Sequence, residues 1–548
     1  MRTVAALGHR VGRSRAALTG LAVLWTAVGG CASDGGADVL TPGEDAGSSG
    51  QDAAARGDGA SGGAICAPTF GGPVWSLEGD PLEIVVRCST DLDLPGSSFT
   101  IDPLPDGAEY EPATGRLRWT PGLDQAAVYT VAVTVAELDE QVQLQIGIID
   151  RWDDPENVPV DPFTYTEEYG LPVFHLQTSE KLNDDEHTAA QIVYRGRDYA
   201  GAQAKYRGKT SLQYPKKSFT LKLASDHRLS DLERGLHDER RVTLTTTFDD
   251  NSYLRQRLAY TLWNRLGADH IQITAFNAVL YLNGQYHGLY VVTDHVDDDL
   301  MEDSGLWRDG NLYKARSHEA NLRITTNDGD PKIPLHLGYT KEEGAPAHGK
   351  RDAYADLDAL VTWLSTAPDD EFHDRLDRHI DRTEFEDWWI FVSLIRAVDS
   401  AGKNSYLYHD PRPDSPTPLW RYVPWDFNAS FGQSFQTHRL SAGDSPELVA
   451  RRNGLFERML MEPRIREPLL ERYDAVLHDA YEVETVIASF DAWVQEIDAS
   501  ALRDEQKWID AVRAYDWERS DEFTTYTEEV EYVRAWIRER WDAVDALF

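Results

Sequence analysis

The order in which strand-like and helical segments follow one another is the feature of this sequence that most restricts its fold. Short runs rich in β-branched and aromatic residues come first, as in Ser218–Leu223, Val242–Thr246 and Ala278–Leu282. Helical spacing of apolar residues takes over later, in residues 353–364, 382–398 and most of 446–548. Strands followed by helices predict an α+β body over residues 166–548, with a β-rich front lobe and a helical rear lobe.

A smaller β-rich segment precedes this body. Residues 65–150 alternate between short strand-like runs, such as Tyr129–Val135, and turns rich in Pro, Gly and Asp. This spacing predicts a small β-sandwich, followed by a polar linker at 151–165. The stretch Leu104–Ala108 resembles immunoglobulin-like or cadherin-like modules of bacterial surface proteins, which space or dock a neighbouring domain.

The first 31 residues have the layout of a bacterial export signal. Their first half contains several arginines and no acid, and an apolar stretch runs from Ala16 to Val28. The stretch ends in Val28-Gly29-Gly30-Cys31, which resembles a lipobox, so Cys31 is predicted to carry a lipid. An ordinary cleaved signal followed by a chance cysteine is the alternative. Ala32 after the cysteine favours the outer membrane or the cell surface.

Export also bears on the other two cysteines. Residues 32–64 are mostly Gly, Ala, Ser and Asp without an aromatic residue, and they predict a flexible tether. Cys66 and Cys88 follow the tether, and pairing is the default expectation for cysteines of an exported protein. The three cysteines therefore divide into one lipid attachment site and one predicted disulfide.

Charge excludes one class of partner. The 548 residues contain 93 acidic and 54 basic side chains, a formal net charge of −39, which would repel a phosphate backbone over most of the surface. Nucleic-acid binding is therefore not expected. The sequence also lacks an HExxH motif and Cys/His zinc spacing. Carboxylates and the few clustered cations are therefore the candidate functional residues.

The clearest cluster of cations is a turn before a strand. Arg207, Gly208 and Ser211 form its first half, and Lys216 and Lys217 stand at the head of the run that follows. Backbone N–H groups and ammonium charges in this arrangement are suited to a polyphosphate. A basic turn before a strand is also common without a ligand, and that interpretation stays open here.

Three oxygen-bearing residues downstream follow a spacing that is used for phosphoryl transfer. Asp399 stands at the end of a predicted helix, Asn404 lies five residues later, and Asp426 follows in the sequence Trp-Asp-Phe-Asn. Protein kinases use the same order, in which the first Asp orients the acceptor hydroxyl and the later Asn and Asp bind magnesium. The spacing predicts a site of this kind.

On the basis of these motifs, the segment from about Leu171 to Gly432 resembles the CotH kinases. This atypical protein-kinase-like family includes a bacterial spore-coat kinase. The elements of the resemblance are the turn at Arg207, the strand start Pro215–Phe219, the helix start Ser252–Arg255, Leu282–Tyr290, Gly310–Lys314, the Asp399/Asn404 loop and Trp420–Gly432. The resemblance implies a bilobal kinase-like fold and the cofactors ATP and Mg²⁺, with Mn²⁺ as an alternative metal.

The resemblance also implies roles for individual residues. Asp399 would be the catalytic Asp, and Asn404 and Asp426 would be the magnesium ligands. Lys217, with Lys216 as its rival, would be the phosphate lysine, and Arg207, Gly208 and Ser211 would cover the nucleotide phosphates. The predicted helix at 252–266 contains no Glu, so the partner of that lysine stays unassigned. Asn428 stands where many family members have a second Asp.

The sequence therefore predicts a lipid-anchored kinase that transfers the γ-phosphoryl of ATP to Ser/Thr of a surface or coat protein. The alternative is a non-catalytic adhesion module, or an assembly module of the envelope or spore coat, with the same fold. The acidic run at 294–303 is interpreted as a solvated helix start. Four histidines without metal-ligand spacing are interpreted as packed or surface residues: His270, His287, His295 and His318.

Overall fold

The computed structural model describes residues 74–86, 99–135, 140–153, 159–400, 402–517 and 524–548. The predicted lipid site Cys31, the tether and the predicted pair Cys66 and Cys88 lie outside these residues. The chain divides into two compact units, Met1–Asp154 and Pro155–Phe548. In the described part of the chain no helix is both long and apolar enough to cross a bilayer.

The first unit contains two sheets. They are formed by β1 (Val74–Leu77), β2 (Leu82–Val85), β3 (Phe99–Asp102), β4 (Glu109–Glu111), β5 (Arg116–Trp119), β6 (Ala127–Val135) and β7 (Glu140–Ile149). One sheet has the order β1-β7-β6-β3 and the other β2-β5-β4. Side chains of both sheets, among them Leu117 and Val133, share one apolar cluster because alternate residues of each strand point inwards. The immunoglobulin-like resemblance of this unit stays a prediction.

The second unit begins with a large sheet. Its ten strands are β8 (Glu167–Glu168), β9 (Leu171–Gln177), β10 (Thr188–Ala189), β11 (Gln191–Tyr194), β12 (Arg197–Asp198), β13 (Gln203–Arg207), β14 (Ser218–Lys222), β17 (Arg241–Thr246), β18 (Ala275–Leu282) and β19 (Gln285–Asp294). Their order is β10-β13-β14-β17-β19-β18-β9-β11-β12, with β8 beside β9. The hairpin of β15 (Leu229–Asp231) and β16 (Leu236–Glu239) contributes apolar residues to the cluster on one face of the sheet.

A second, smaller sheet follows later in the chain. It has the order β21-β20-β22-β23 and consists of β20 (Asn311–Ala315), β21 (Tyr339–Glu343), β22 (Ser405–His409) and β23 (Arg421–Pro424). All pairs in this sheet are antiparallel, and Ala315 lies opposite Ser405, which lies opposite Pro424. This register brings the residues that follow β20 and β23, and those that precede β22, to one edge.

Helices dominate the rest of the chain. They are α1 (Arg255–Leu266), α2 (Asp298–Asp303), α3 (Ala355–Thr366), α4 (Asp369–Arg375), α5 (Arg382–Leu394), α6 (Glu447–Ala450), α7 (Gly454–Met461), α8 (Pro463–His478), α9 (Val483–Ala514) and α10 (Tyr526–Asp545). The predicted α+β class, with strands first and helices later, is confirmed. On β18, Val279 and Tyr281 join the core shared with α1, α5, α9 and α10, while Ala278 and Leu280 face the opposite cluster. The large sheet is therefore buried on both faces.

Helix α5 ends earlier than its periodicity predicts. The sequence pattern continues to residue 398, but the helix stops at Leu394 because Arg396 adopts a left-handed backbone conformation with φ of 56°. The N–H of Ala397 then donates to the carbonyl of Val392, 3.0 Å away, which is the six-to-one bond of a Schellman motif. The left-handed residue of this turn lies three residues before Asp399, and the chain continues from there to β22 of the small sheet.

Candidate functional site

Asp399 lies in the loop between α5 and β22, and three donors surround its carboxylate. The Nζ of Lys403 lies 2.8 Å from Oδ2, and the Nδ2 of Asn404 donates to the same oxygen at 3.0 Å. The Nε2 of His318 lies 3.2 Å from Oδ1. Burial alone would raise the pKa of Asp399, but the hydrogen bonds from His318 and Lys403 outweigh it and hold the pKa below its usual value. Asp399 is therefore ionised at neutral pH.

Asp426 follows β23 by two residues and has a left-handed backbone, with φ of 65°. Its N–H donates to the hydroxyl of Tyr260 at 3.2 Å, which fixes this strained turn. Burial raises the pKa of the Asp426 carboxyl, and the charge of Asp399 raises it further, whereas the charge of Arg207 opposes both. The effect of the Asp399 charge on Asp426 indicates that the two carboxylates lie near one another.

Two cationic side chains lie near the ring of Trp425, next to Asp426. The guanidinium carbon of Arg207 lies 4.5 Å from the centre of the Trp425 ring, and the Nζ of Lys314 lies 5.2 Å from it. Within the described residues, neither cation has a carboxylate oxygen within 4 Å. Burial, followed by the charge of Arg207, lowers the pKa of Lys314 to about 8. In a chain with a net charge of −39, two adjacent cations without an ion-pair partner favour an anionic ligand.

The turn after Arg207 is tight. Gly208 has φ of 128°, and a Cβ atom there would overlap the hydroxyl of Ser211, so the turn requires glycine. Residues 210–213 form a single 3₁₀ turn, and Lys217 donates from Nζ to the carbonyl of Leu212 at 2.5 Å. No contact of Lys217 with Asp399 or Asp426 is found among the described residues.

Lys216 points into the interior instead. Its Nζ lies 2.7 Å from Oδ1 of Asp504 on α9 and donates to the carbonyl of Leu289, also at 2.7 Å. The side chain is fully buried. Asp504 is therefore the ion-pair partner of Lys216. Its position 288 residues further along the chain gave no local signal.

Asp249 ties the basic turn to the Asp426 loop. The hydroxyl of Tyr214 donates to Oδ2 of Asp249 at 3.2 Å, and the side-chain amide of Asn428 donates to the same oxygen. Burial raises the pKa of Asp249 to about 7, although the bond from Asn428 opposes this shift. An Asp at position 428 would put two carboxylates in contact here, whereas Asn428 supplies a donor.

The structure thus brings Arg207, Asp399, Asn404 and Asp426 of the predicted site together, and it separates Lys216 from them. Sequence reasoning missed four participants. Lys314 and Lys403 stand inside the motifs Gly310–Lys314 and Arg396–Asn404 but received no role, while Asp249 and His318 carry no recognisable motif. Interpreted from the sequence as a packed or surface histidine, His318 is partly exposed, and its Nε2 lies 3.2 Å from Oδ1 of Asp399.

Comparison with known proteins bears on the same residues. The family model described as "CotH kinase protein" matches residues 204–544, which is more than half of the chain. The chain belongs to the CotH kinase family. The matched segment of this CotH family member contains all of the site residues described above.

One curated relative of this CotH protein is "Inner spore coat protein H" of Bacillus subtilis (strain 168). The two sequences are 23% identical over 309 residues, which cover 56% of this chain and 80% of the relative. The relative is therefore matched over most of its length.

Proposed function

We propose that this CotH family member is a kinase that transfers the γ-phosphoryl of ATP to a Ser or Thr hydroxyl of a protein. The observation that carries the proposal is the proximity of two groups of side chains with opposite charge. Asp399, Asn404 and Asp426 supply oxygen ligands and a base, and Arg207 and Lys314 supply positive charge that forms no ion pair within the described ranges. Phosphoryl transfer requires both kinds of group.

The donor set suits the cofactors that the family resemblance implies. The Nδ2 of Asn404 is occupied by Asp399, so its amide oxygen is the atom left for a metal. Together with the carboxylate of Asp426 it forms a pair of hard oxygen ligands, which Mg²⁺ and Mn²⁺ prefer. A bound Mg²⁺ would neutralise the phosphate charge. The raised pKa of Asp426 fits a carboxylate that is stabilised when a cation binds beside it.

Lys314 is the phosphate lysine of this proposal, in place of Lys217 or Lys216. Lys216 donates to Asp504 and Leu289 inside the protein, and Lys217 donates to a backbone carbonyl of the turn. Lys314, in contrast, lies with Arg207 over Trp425. Gly208 and Ser211 continue from Arg207 and would cover the phosphates with backbone N–H groups.

We further propose that the protein acts outside the cytoplasm. The likeness to a spore coat protein favours a surface-associated location. The signal-like residues 1–31, with Cys31 as the lipidated residue, would supply the membrane attachment, and the pair Cys66 and Cys88 would suit an oxidising compartment. Labelling of the full chain with an alkyne fatty acid tests this proposal: a Cys31→Ser variant should lose the label, and a label kept by that variant contradicts it.

Incubation of residues 65–548 with γ-labelled ATP and Mg²⁺ or Mn²⁺ tests the catalytic proposal. Proteins extracted from the surface of the producing cell serve as acceptors, and ATP hydrolysis is followed in parallel. We expect Asp426→Ala and Asp399→Asn to lose both activities. Asp410→Asn, which removes a buried carboxylate bonded to Arg412, should retain them. Absence of transfer and hydrolysis in the wild type, or unchanged transfer in Asp426→Ala, contradicts the proposal.

A further inference from the structure

His318 lies on the segment between β20 and β21 and faces the proposed catalytic carboxylate. Its Nε2 is 3.2 Å from Oδ1 of Asp399, and 37% of its side chain is exposed. Its Nδ1 is buried and has no hydrogen-bond partner in the described part of the protein. A hydrogen on Nε2 fits these surroundings, because Nε2 faces a carboxylate oxygen of Asp399 and the buried Nδ1 has no partner among the described residues.

The two carboxylate oxygens of Asp399 differ in how many donors surround them. Each carboxylate oxygen accepts about two hydrogen bonds. The Nζ of Lys403 lies 2.8 Å from Oδ2 and the Nδ2 of Asn404 donates to it at 3.0 Å, so two donors already surround this oxygen. Oδ1 receives only His318 among the described residues. Oδ1 is therefore the oxygen with more room for the hydroxyl of a substrate, and it is the oxygen that His318 approaches.

The segment that carries His318 is itself braced. The Nδ2 of Asn327 donates to the backbone carbonyl of His318 at 3.0 Å. The Nζ of Lys332 donates to the carbonyl of Glu319 and to Oδ1 of Asn321, the latter at 2.6 Å. Lys332 is only 3% exposed, so its ammonium acts as an internal cation of this loop. A histidine held in this way can fix the orientation of its partner.

We propose that His318 is a positioning residue of the phosphoryl-transfer site. Its Nε2–H orients Asp399 so that Oδ1 points at the acceptor hydroxyl, while Lys403 and Asn404 hold Oδ2. The inference rests on the proposed kinase function and adds to it the oxygen that receives the hydroxyl and the residue that directs this oxygen. His318 has no contact with Arg207, Lys314 or Asp426 among the described residues, so it should act on the chemical step and leave nucleotide binding unchanged.

Three variants of the same protein separate this role from simple packing. His318→Leu removes the donor. His318→Gln places an amide donor at about the same distance along the side chain as Nε2. His336→Leu is the matched control, because His336 lies on the same segment and contacts an acid of its own, Asp358, at 3.1 Å. Each variant is assayed for kcat, for the KM of ATP and for its melting temperature.

We expect kcat of His318→Leu to fall by about tenfold or more, since a misplaced catalytic group costs factors of this size, with the KM of ATP within about twofold of the wild type. His318→Gln should recover most of the loss, and His336→Leu should keep the wild-type kcat. An active wild type whose His318→Leu variant keeps full kcat would overturn the inference alone. Equal losses of kcat in His318→Gln and His318→Leu would also overturn the inference alone. A wild type without Mg-ATP binding or transfer would overturn the proposed kinase function, and with it this role of Asp399.

Discussion

At the residue scale, Asp399 and Asp426 illustrate how one site can give two carboxylates different protonation behaviour. Asp399 is held ionised by His318 and Lys403, whereas burial raises the pKa of Asp426. Pairs of acids whose surroundings move their pKa values apart are typical of sites that use one as a base and the other as a ligand. Asn404 and Asp426 also both have left-handed backbones, with φ of 53° and 65°, so the two proposed metal ligands sit in strained turns.

Lys314 supports a prediction in which binding and stability change in opposite directions. Its folded pKa of about 8 lies below the 10.5 of an unperturbed lysine. The charged side chain therefore lowers stability at all pH values below about 8, and this penalty disappears as the pH rises towards 10.5. At pH 7, Lys314→Met should raise the melting temperature by a few degrees and weaken Mg-ATP binding by about tenfold or more, through loss of a charged hydrogen bond.

Calorimetric titration and thermal unfolding check both halves of this prediction. Lys341→Met is the matched control, because Lys341 is a buried lysine on the neighbouring strand β21 whose Nζ donates to the carbonyl of Ala353 at 3.1 Å. It should leave nucleotide affinity unchanged. Unaltered affinity in Lys314→Met would contradict the assignment of Lys314 as the phosphate lysine.

At the scale of elements, α9 packs against the large sheet and approaches β19 most closely. Asp504 accepts from the N–H of Leu289 at 2.6 Å, and the indole N–H of Trp508 donates to the carbonyl of His287 at 2.9 Å. Gly288, which lies between His287 and Leu289 on β19, has φ of 141°. A Cβ atom at this position would overlap the Asp504 carboxylate. The helix can approach β19 this closely only because position 288 is glycine.

The buried pair of Lys216 and Asp504 gives a stability prediction for this contact. Removing one partner leaves an uncompensated interior charge, so Asp504→Ala should lower the free energy of unfolding by about 3–5 kcal/mol. The double variant Lys216→Met with Asp504→Leu should recover much of that loss, because no charge is then left unpaired. Urea unfolding measures all of these effects.

The single variant Lys216→Met discriminates between the two possible roles of Lys216 when both its urea unfolding and its nucleotide binding are measured. If Lys216 contacted phosphate, Lys216→Met would keep the wild-type stability and lose nucleotide binding. The structure predicts the reverse pattern: reduced stability, with the site around Asp426 intact in the folded fraction.

Several elements could be predicted from local pattern alone. The strands at 218–222, 241–246 and 275–282 follow from β-branched runs, and α5 begins at Arg382 directly after Asp381, whose side chain accepts from the N–H of Glu384. The pairing of Lys216 with Asp504 and the approach of His318 to Asp399 join residues far apart in sequence. Periodicity carries no information on such contacts, so neither of them could be predicted from the sequence.

At the scale of the whole second unit, the C-terminal helix supports the loop that follows Asp426. Arg255 at the start of α1 is fully buried and bonds Asp250 and Glu529, each at 2.6 Å. It also donates to the carbonyl of Ser430 at 3.0 Å. One guanidinium therefore links α1, the 427–431 loop and α10. The family match to residue 544 includes this helix, in agreement with its structural role.

Glu529 makes this link sensitive to acid. Burial alone would raise its pKa, but the charges of Arg255 and Arg439 and their hydrogen bonds hold it well below the usual value. The stabilisation is present above the unfolded pKa of about 4.5 and is lost as the pH falls towards the folded value. Glu529→Gln should thus lower the free energy of unfolding by about 3 kcal/mol at pH 7, and the difference from the wild type should shrink by pH 3. Urea unfolding at both pH values checks it, and an equal difference at pH 3 would contradict it.

We propose that Asp399 and Asp426 belong to one nucleotide and metal site. A crystal structure of the protein with Mg²⁺ and a non-hydrolysable ATP analogue tests it most directly. We expect a metal bound by the carboxylate of Asp426 and the amide oxygen of Asn404, with the phosphates beside Arg207 and Lys314 and the terminal phosphate facing Asp399. A nucleotide bound elsewhere, or a metal that does not touch Asp426, would contradict it.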